Sequence, residues 1–581
     1  MSEVMTGSQP VSFGSCAGIF NSGINDTGVL ILGTWGFDEL CSRKFLTALA
    51  SMVSKQGFPA LRFDYPGCVD SLDLDQDIQL RDWKQSAKAA MATLRSLSGC
   101  RRLILVGFGL GGSLAMELCS DDNDDFTACV LLAPVVSGRR FIRELTLRNK
   151  VIYDGLGLPR SAMPEGCSIG GLELSESLAD GIKKIRLDQQ RAGPRAKCLI
   201  VAHAGDPAQQ ALYDHLKGLN CDAEMLRFEG FEALMENPTV SELPVRTLNE
   251  VASWIEQQPA QNAVAALPKA HPTEPYAGLT GADFIETRYF FGEHSPLYGV
   301  ACKPQNAAAA PPVIVFINAG YDPHGGWARS TVENSRSLAR QGIASFRFDM
   351  SNIGDSPPRP GAAEEVLYTD VQSEDLKTAL EFTCKLFPDS PILLAGKCSG
   401  AYVAFDVAAR PSSVRAAFLI NQLVIVWDPE NDIGEINRAG PRPLDEYRDR
   451  LTKGRLLQRL FRGDIDVFAA LSGILSQAVD NASRNYLPKI APFSKYARFR
   501  AHFKCKMQDI ESRNVKLHII CCEKDQSRHE ISYYFGDLNT IPERFTNVTF
   551  HTIENADHNI TPKKARQDLL DILVKEARDL F

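Results

Sequence analysis

The sequence predicts an α/β protein built twice: two tandem domains, each a mostly parallel sheet flanked by helices. Three observations predict it. Short apolar runs alternate with stretches of helical periodicity, the order that gives parallel strands joined by crossover helices. That order occurs twice, and one stretch returns almost intact: Gln56-Gly-Phe-Pro-Ala-Leu-Arg-Phe-Asp64 reappears as Gln341-Gly-Ile-Ala-Ser-Phe-Arg-Phe-Asp349. The chain also has 581 residues, too many for one core.

The first copy is expected to span residues 1–258. Residues 29–32 read as a strand, Trp35-Gly36-Phe37 as the loop after it and 40–56 as a helix. Residues 58–64 form a strand that ends in a turn-rich stretch through Asp70-Ser71, followed by a helix at 77–97. A strand at 102–106 runs into Gly107-Phe-Gly-Leu-Gly-Gly112, and 128–133 is the next strand. Residues 134–195 are polar and are expected to be irregular. Strands follow at 198–202 and 223–228 with a helix between them, and a last helix runs from about 240 to 257. Residues 259–280, rich in Ala, Pro and Gln, read as a linker.

The second copy, 281–581, repeats the order. A strand at 313–317 is followed by Ala319-Gly320-Tyr321, and a helix occupies 329–341. After the repeated strand, Gly354-Asp355-Ser356 echoes Val69-Asp70-Ser71. A helix at 370–386 leads to the strands 391–395 and 416–420. Late strands are expected at 516–522 and 548–553, and a closing helix at 561–581. Between them lies an insertion at about 422–513, with helical stretches at 444–461 and 465–477, in the place of a lid.

Bulk properties exclude several classes. Hydrophobic content of 44% with 23% charged residues is that of an ordinary soluble protein. A net charge of -8 without a basic tract gives no nucleic-acid footprint. No apolar run approaches the roughly 20 residues that span a bilayer. Fifteen cysteines, an odd number without paired spacing, together with a polar N-terminus that lacks a signal peptide, point to reduced thiols in the cytoplasm. No Cys/His cluster has zinc spacing, and no metal or other cofactor is expected.

The chemistry concentrates in the second copy. Gly396-Lys397-Cys398-Ser399-Gly400 stands between an apolar strand and a helix. Glycines two before and two after a nucleophilic side chain make a strained elbow, because a Cβ at either would clash where strand and helix cross. Cys398 is thereby lifted above the sheet at a helix N-terminus, where the Ser399 N–H can bind an oxyanion. Ser399 is a poor rival nucleophile, since its flanking positions would be Lys397 and Ala401. A thiol needs a partner to ionise at neutral pH. His558 follows the last strand, and Asp525 closes the strand before it. The order nucleophile, acid, histidine makes His558 the base and Asp525 the group that fixes its tautomer. Asp557 is the alternative acid. The Tyr321 N–H is the second oxyanion donor. Gly320, His324 and Arg329 are candidate substrate contacts, and His324 is a weaker candidate base. The first copy has Gly109 at the nucleophile position. Asp206 can match Asp525, but the place of His558 falls at 231–234, where no histidine stands, and His203 and His215 lie elsewhere. That copy is expected to act as structure or as a binding surface.

At these residues the chain resembles the α/β-hydrolase superfamily, and more closely the serine-aminopeptidase-like hydrolases found beside exopolysaccharide and exosortase loci. The second copy carries the resemblance in Phe290-Phe-Gly, Pro296-Leu-Tyr-Gly299, Ile317-Asn-Ala-Gly320, Phe346-Arg-Phe-Asp349, Gly354-Asp-Ser356, Gly396-Lys-Cys-Ser-Gly-Ala401, Ala556-Asp-His558 and Thr561-Pro562. In the first copy it rests on Trp35-Gly-Phe-Asp-Glu-Leu40, Leu61-Arg-Phe-Asp-Tyr-Pro-Gly67 and Ala133-Pro-Val-Val-Ser-Gly-Arg-Arg140. The resemblance implies two tandem α/β-hydrolase domains. Cysteine in place of serine argues against carrying over peptidase activity; cysteine elbows are also similar to those of dienelactone hydrolases and polyhydroxyalkanoate synthases. The expectation is a hydrolase of esters or thioesters working through an S-acyl enzyme on a small-molecule or carrier-bound acyl substrate. The alternatives are an acyltransferase with a hydroxyl or amine acceptor, and a non-catalytic binding or assembly module.

Overall fold

The computed structural model describes residues 7–120, 126–156, 158–238, 241–261, 278–293, 295–306, 308–430, 491 and 493–580. In chain order its strands are β1 Ser8–Phe13, β2 Cys16–Asn21, β3 Thr27–Leu32, β4 Ala60–Phe63, β5 Arg102–Phe108, β6 Phe126–Leu132, β7 Cys167–Ile169, β8 Leu172–Leu174, β9 Lys197–Ala202 and β10 Ala223–Arg227. The second half adds β11 Gly278–Thr280, β12 Phe284–Phe291, β13 Leu297–Pro304, β14 Val313–Ile317, β15 Ala344–Phe348, β16 Ile392–Lys397, β17 Val414–Ile420, β18 Lys516–Cys522 and β19 Val548–Ile553.

Two sheets result. The first runs β1-β2-β4-β3-β5-β6-β9-β10 and the second β11-β12-β13-β15-β14-β16-β17-β18-β19. From β4 onward in the first and β15 onward in the second, every pairing is parallel; the leading strands are antiparallel. Setting β11 and the small hairpin β7–β8 aside, the two orders are the same. Strands such as β3 and β14 are buried along their whole length, as central parallel strands covered by helices on both faces must be.

Two expectations change. Residues 134–195 are not irregular: they hold the helix Gly138–Leu156, the hairpin β7–β8 and the helix Glu176–Lys183. The long helix hides its period because Leu147 and Val151 face solvent while Phe141, Ile142, Leu145 and Tyr153 are buried. The expected linker is also narrower. The Thr27 hydroxyl donates to Pro259 O, and residues 278–280 already belong to β11. The helical stretches expected at 444–461 and 465–477 lie outside the described residues. The end of the expected insertion is a sheet-covering helix, Lys495–Ser512, in which Phe503 packs on Phe405 and Lys506 pairs with Asp406.

The two halves are clasped through their repeated residues. Arg62 pairs with Asp355 at 2.6 Å, and its counterpart Arg347 pairs with Asp70 at 2.8 Å. Arg43 bridges Asp64 of its own half and Asp355 of the other. At the matching place His324 bridges Asp349 of its own half and Asp70 of the other, at 2.8 and 3.0 Å. Both ring nitrogens of His324 face carboxylate oxygens, which requires an imidazolium; burial opposes that charge, but the two aspartates push its pKa up to about 10. Ile19 packs against Tyr298 and Val300 beside this cluster. Trp327 enters the first half's core against Phe37 and donates its indole N–H to Gly170 O at 2.9 Å.

Candidate active site

Cys398 sits at φ 55°, ψ −119° between β16 and the helix Ser399–Ala409. A non-glycine residue in this left-handed region is strained, and the surrounding packing holds it there. The flanking glycines have the reason the sequence implied. A Cβ on Gly396 would stand 2.2 Å from Gly400 O, and one on Gly400 would stand 2.4 Å from Asn318 O. Ser399 is the first residue of its helix, so its N–H has no acceptor inside the helix.

The histidine and acid come from the ends of neighbouring strands. His558 Nδ1 donates to Asp525 Oδ2 at 2.7 Å. Cys398 and His558 line the same cleft. Burial disfavours charge on this ring, but Cys398 and then Asp525 outweigh it and push His558 up to about 10. Burial likewise opposes charge on Asp525, yet the bond from His558 and those from Ser527 hold its carboxyl below the ordinary value. Asp557, the alternative acid, accepts from the N–H groups of Asn559 and Thr561 and from the Thr561 hydroxyl, which shapes the histidine loop.

The structure therefore brings Cys398, His558 and Asp525 together, with Ser399, Gly320 and Tyr321 beside them. Gly320 donates its N–H to Ser399 Oγ at 2.8 Å, which ties the loop after β14 to the elbow. The Tyr321 ring packs near Lys44 of the first half, and its hydroxyl donates to Glu365. His324 and Arg329 are not brought to the site. His324 is in the clasp, and Arg329 donates to Val69 O and Ser71 O and pairs with Asp73 across the junction.

Other residues of the site were not singled out in the sequence. Asn421, at positive φ just past β17, donates to His558 O at 2.8 Å and accepts from the Cys522 N–H at 2.8 Å, pinning the histidine loop to β18. Lys397 donates to Asn559 Oδ1 at 2.8 Å. Asp322 is buried, burial pushes its carboxyl up, and its Oδ1 has no hydrogen-bond partner among the described residues. The turn-forming asparagine at a strand end was a visible signal; the buried aspartate carried none. A cleft of about 410 Å³ opens over Cys398 and His558, walled by Tyr368, Leu423, Asp322 and Lys397 and by Leu156, Leu158 and Pro159 from the first half.

The matching place in the first half is a second cleft of about 240 Å³. Gly109 takes the elbow position with φ 55°, the same angle as Cys398. Asp206 caps its helix through the Ala208 N–H, as Asp525 does through that of Ser527, and pairs with Arg140. Phe231, where the histidine would stand, stacks on His203 with centroids 4.0 Å apart.

Family models match both halves of the chain. One described as the alpha/beta hydrolase family matches residues 29–280, and one described as the alpha/beta hydrolase fold matches residues 312–455. Together they cover more than half of the chain, which belongs to the α/β-hydrolase superfamily as a tandem of two such domains. Solved structures similar to it include proline iminopeptidase from Mycobacterium smegmatis (15% identity, TM-score 0.32, covering 51% of this chain and 98% of that one). Esterase Pf2001 from Pyrococcus furiosus is 12% identical with a TM-score of 0.31, covering 51% and 92% of the two chains. Est1E from Butyrivibrio proteoclasticus, with ferulic acid bound, is 12% identical with a TM-score of 0.32, covering 50% and 98%. No curated protein matches the chain. No helix among the described residues is long and apolar enough to cross a membrane.

Proposed function

We propose that the second half is a thiol hydrolase: Cys398 takes the acyl group of an ester or thioester, and water releases it. The observation that carries the reading is the His558 ring, bonded through Nδ1 to Asp525 and lining one cleft with the strained Cys398. A histidine raised to about 10 is an imidazolium at neutral pH, the partner a thiolate needs. In the first step the Cys398 sulfur attacks the carbonyl carbon and the C–S bond forms. The oxyanion accepts hydrogen bonds from the Ser399 and Tyr321 N–H groups. His558 gives its proton to the departing alkoxide or thiolate as that bond breaks. In the second step neutral His558 takes a proton from water, hydroxide adds to the thioester carbon, and the acid leaves with the Cys398 thiolate and the His558 imidazolium restored. A hydroxyl or amine bound in place of water would turn the same intermediate into acyl transfer.

The test is intact-protein mass spectrometry after incubation with p-nitrophenyl esters and acyl thioesters, for the wild type, Cys398→Ala and His558→Ala. An acyl mass gain on the wild type that Cys398→Ala loses is expected; a gain that survives the substitution sinks the proposal. The lifetime of the adduct with and without added acceptors separates hydrolysis from transfer.

A further inference from the structure

We infer that the first half supplies the acyl-chain wall of the cleft over Cys398, so that the cap of the degenerate copy serves the catalytic centre of the other. The substrate class this names is an ester or thioester whose acyl group is an apolar chain of several carbons; the inference rests on the acyl-enzyme reading above.

The cap is the excursion between β6 and β9, made of the helix Gly138–Leu156, the hairpin β7–β8 and the helix Glu176–Lys183. The long helix starts over its own half's cleft, which Arg140, Phe141, Glu144 and Arg148 line. It ends in the other cleft, where Gly155 and Leu156, and beyond them Leu158 and Pro159, stand on the cavity that holds Cys398. Nineteen residues of helix are roughly 28 Å long, enough to reach from one cleft to the other.

Contacts on the catalytic loops fix that reach. Gly170 O accepts the Trp327 indole N–H, and Gly171 O accepts from Arg566 Nη1 at 3.2 Å. A Cβ on Gly171 would stand 2.9 Å from Thr561 O, so the hairpin lies against the backbone of the histidine loop. Tyr153 is buried close to Asp557, the neighbour of His558. The first half's cap therefore touches the elements that carry His558.

Both halves line the cleft, with different emphasis. The catalytic half contributes Asp322, Lys397, Asp525, Asp557 and Asn559, groups that suit a reacting carbonyl and its leaving group. The first half contributes Leu156, Leu158 and Pro159 with the polar Asn237, so that, with Leu423 and Tyr368 of the second half, the cleft has an apolar wall. Leu156 keeps 39% of its surface exposed, apolar area that a bound chain would cover. Each methylene laid on such a surface raises affinity by up to about fourfold.

The experiment is calorimetric titration of octanoate, the product such a substrate would leave, into the full-length Cys398→Ala chain. It is repeated with Leu156→Asp and Leu158→Asp added, and with Leu147→Asp and Val151→Asp, exposed positions on the same helix, as the control. Octanoate affinity is expected to fall at least tenfold with the first pair and to stay unchanged with the second. In chains that keep Cys398, the first pair is expected to lower the octanoyl-to-acetyl ratio of kcat/KM at least tenfold. Circular dichroism verifies the fold. If the aspartates unfold the chain, Leu158→Trp, which narrows the wall, is expected to shift the same ratio towards acetyl. Equal octanoate affinity in all chains, or no octanoate binding, overturns the inference. Loss of octanoate binding with the first pair, in a protein whose Cys398 takes no acyl group, would sink the acyl-enzyme reading and leave the wall standing.

Discussion

Cys398 and Gly109 hold the same φ of 55° at equivalent elbows, and only one of them is suited to it. A side chain at that angle costs on the order of 1–3 kcal/mol. Cys398→Gly is therefore expected to be more stable than Cys398→Ala by about 1 kcal/mol in urea denaturation, since alanine keeps the strain and glycine releases it. The reverse change in the first half, Gly109→Cys, is expected to gain no acylation in the mass assay: its Cβ would stand 2.6 Å from Thr34 Oγ1, and no histidine occupies the partner position. Asp525→Asn should lower kcat by about 10³–10⁴-fold, because the amide favours the wrong His558 tautomer. The His558 proton sets a pH limit. Its folded value is raised to about 10, so the folded ring keeps its proton up to that pH; the stability its charge lends is complete below the unfolded value near 6.5 and is lost as pH rises through about 10. Thioester turnover measured against pH is expected to hold through pH 8–9 and to fall near 10. A fall centred near 6.5 on the acid side would instead indicate a neutral histidine acting as base. Cys398, Asp525 and His558, which the structure places on one cleft, could be picked out in the sequence because each stands just past an apolar run. Asp322 and Asn421 were not singled out, since their roles come from neighbours 70 to 240 positions away in the chain, Lys397 and His558 among them.

At the scale of elements, the parallel strands of both sheets were legible because a short, mostly apolar run bounded by glycine or polar turns has few other readings, whereas the leading antiparallel strands β1, β2 and β11 to β13, which mix polar and apolar residues, were not read. The long cap helix was not, since its period is broken by apolar side chains facing water. Its buried face carries Asn149, which accepts from the Gly170 N–H and donates to Ser168 Oγ, bonds that hold the hairpin β7–β8 on the helix. The elbow shows how tightly elements constrain one another. Gly400→Ala places a Cβ 2.4 Å from the Asn318 carbonyl, which is backbone and has no rotamer to change. The helix or the loop after β14 must move, and that loop carries the Tyr321 N–H. Gly400→Ala is expected to lower kcat with little change in KM, measurable with a short-chain ester, because the oxyanion contact forms only in the transition state.

Over the whole molecule, the repeated Arg-Phe-Asp and Asp-Ser residues announced a duplicated fold, but nothing in either copy revealed that each repeat's arginine seeks the other repeat's aspartate. That pairing appears only when two copies meet. Its charges are buried, so removing one member leaves the rest uncompensated. Asp70→Asn, which leaves Arg347 with Glu286 alone and His324 with Asp349 alone, is expected to cost about 3 kcal/mol in chemical denaturation. The pH window follows from the directions of the shifts. Burial opposes charge on Asp70 and Asp355, but His324 and Arg347 for the first, and Arg43 and Arg62 for the second, hold them below the ordinary carboxylate range. Their contribution is present above about pH 4 and disappears as pH falls through those lowered values. That of His324 is complete below about 6.5 and is lost as pH rises through about 10. A thermal midpoint flat between about pH 4.5 and 6 is expected, falling on the acid side as the aspartates protonate and declining above about pH 6.5 as the His324 contribution is lost.

The clasp has the reciprocity of a two-fold dimer contact, in which every residue on one side answers its twin on the other. Held within a single chain, it closes at a local concentration that the connecting segment sets, so dilution does not open it. A true dimer must also carry each change in both copies, whereas here the two ends are written separately. One end uses an arginine, Arg43, and the other a histidine, His324, for the same bridging task. The same freedom lets one elbow carry a cysteine, Cys398, while its twin carries a glycine, Gly109.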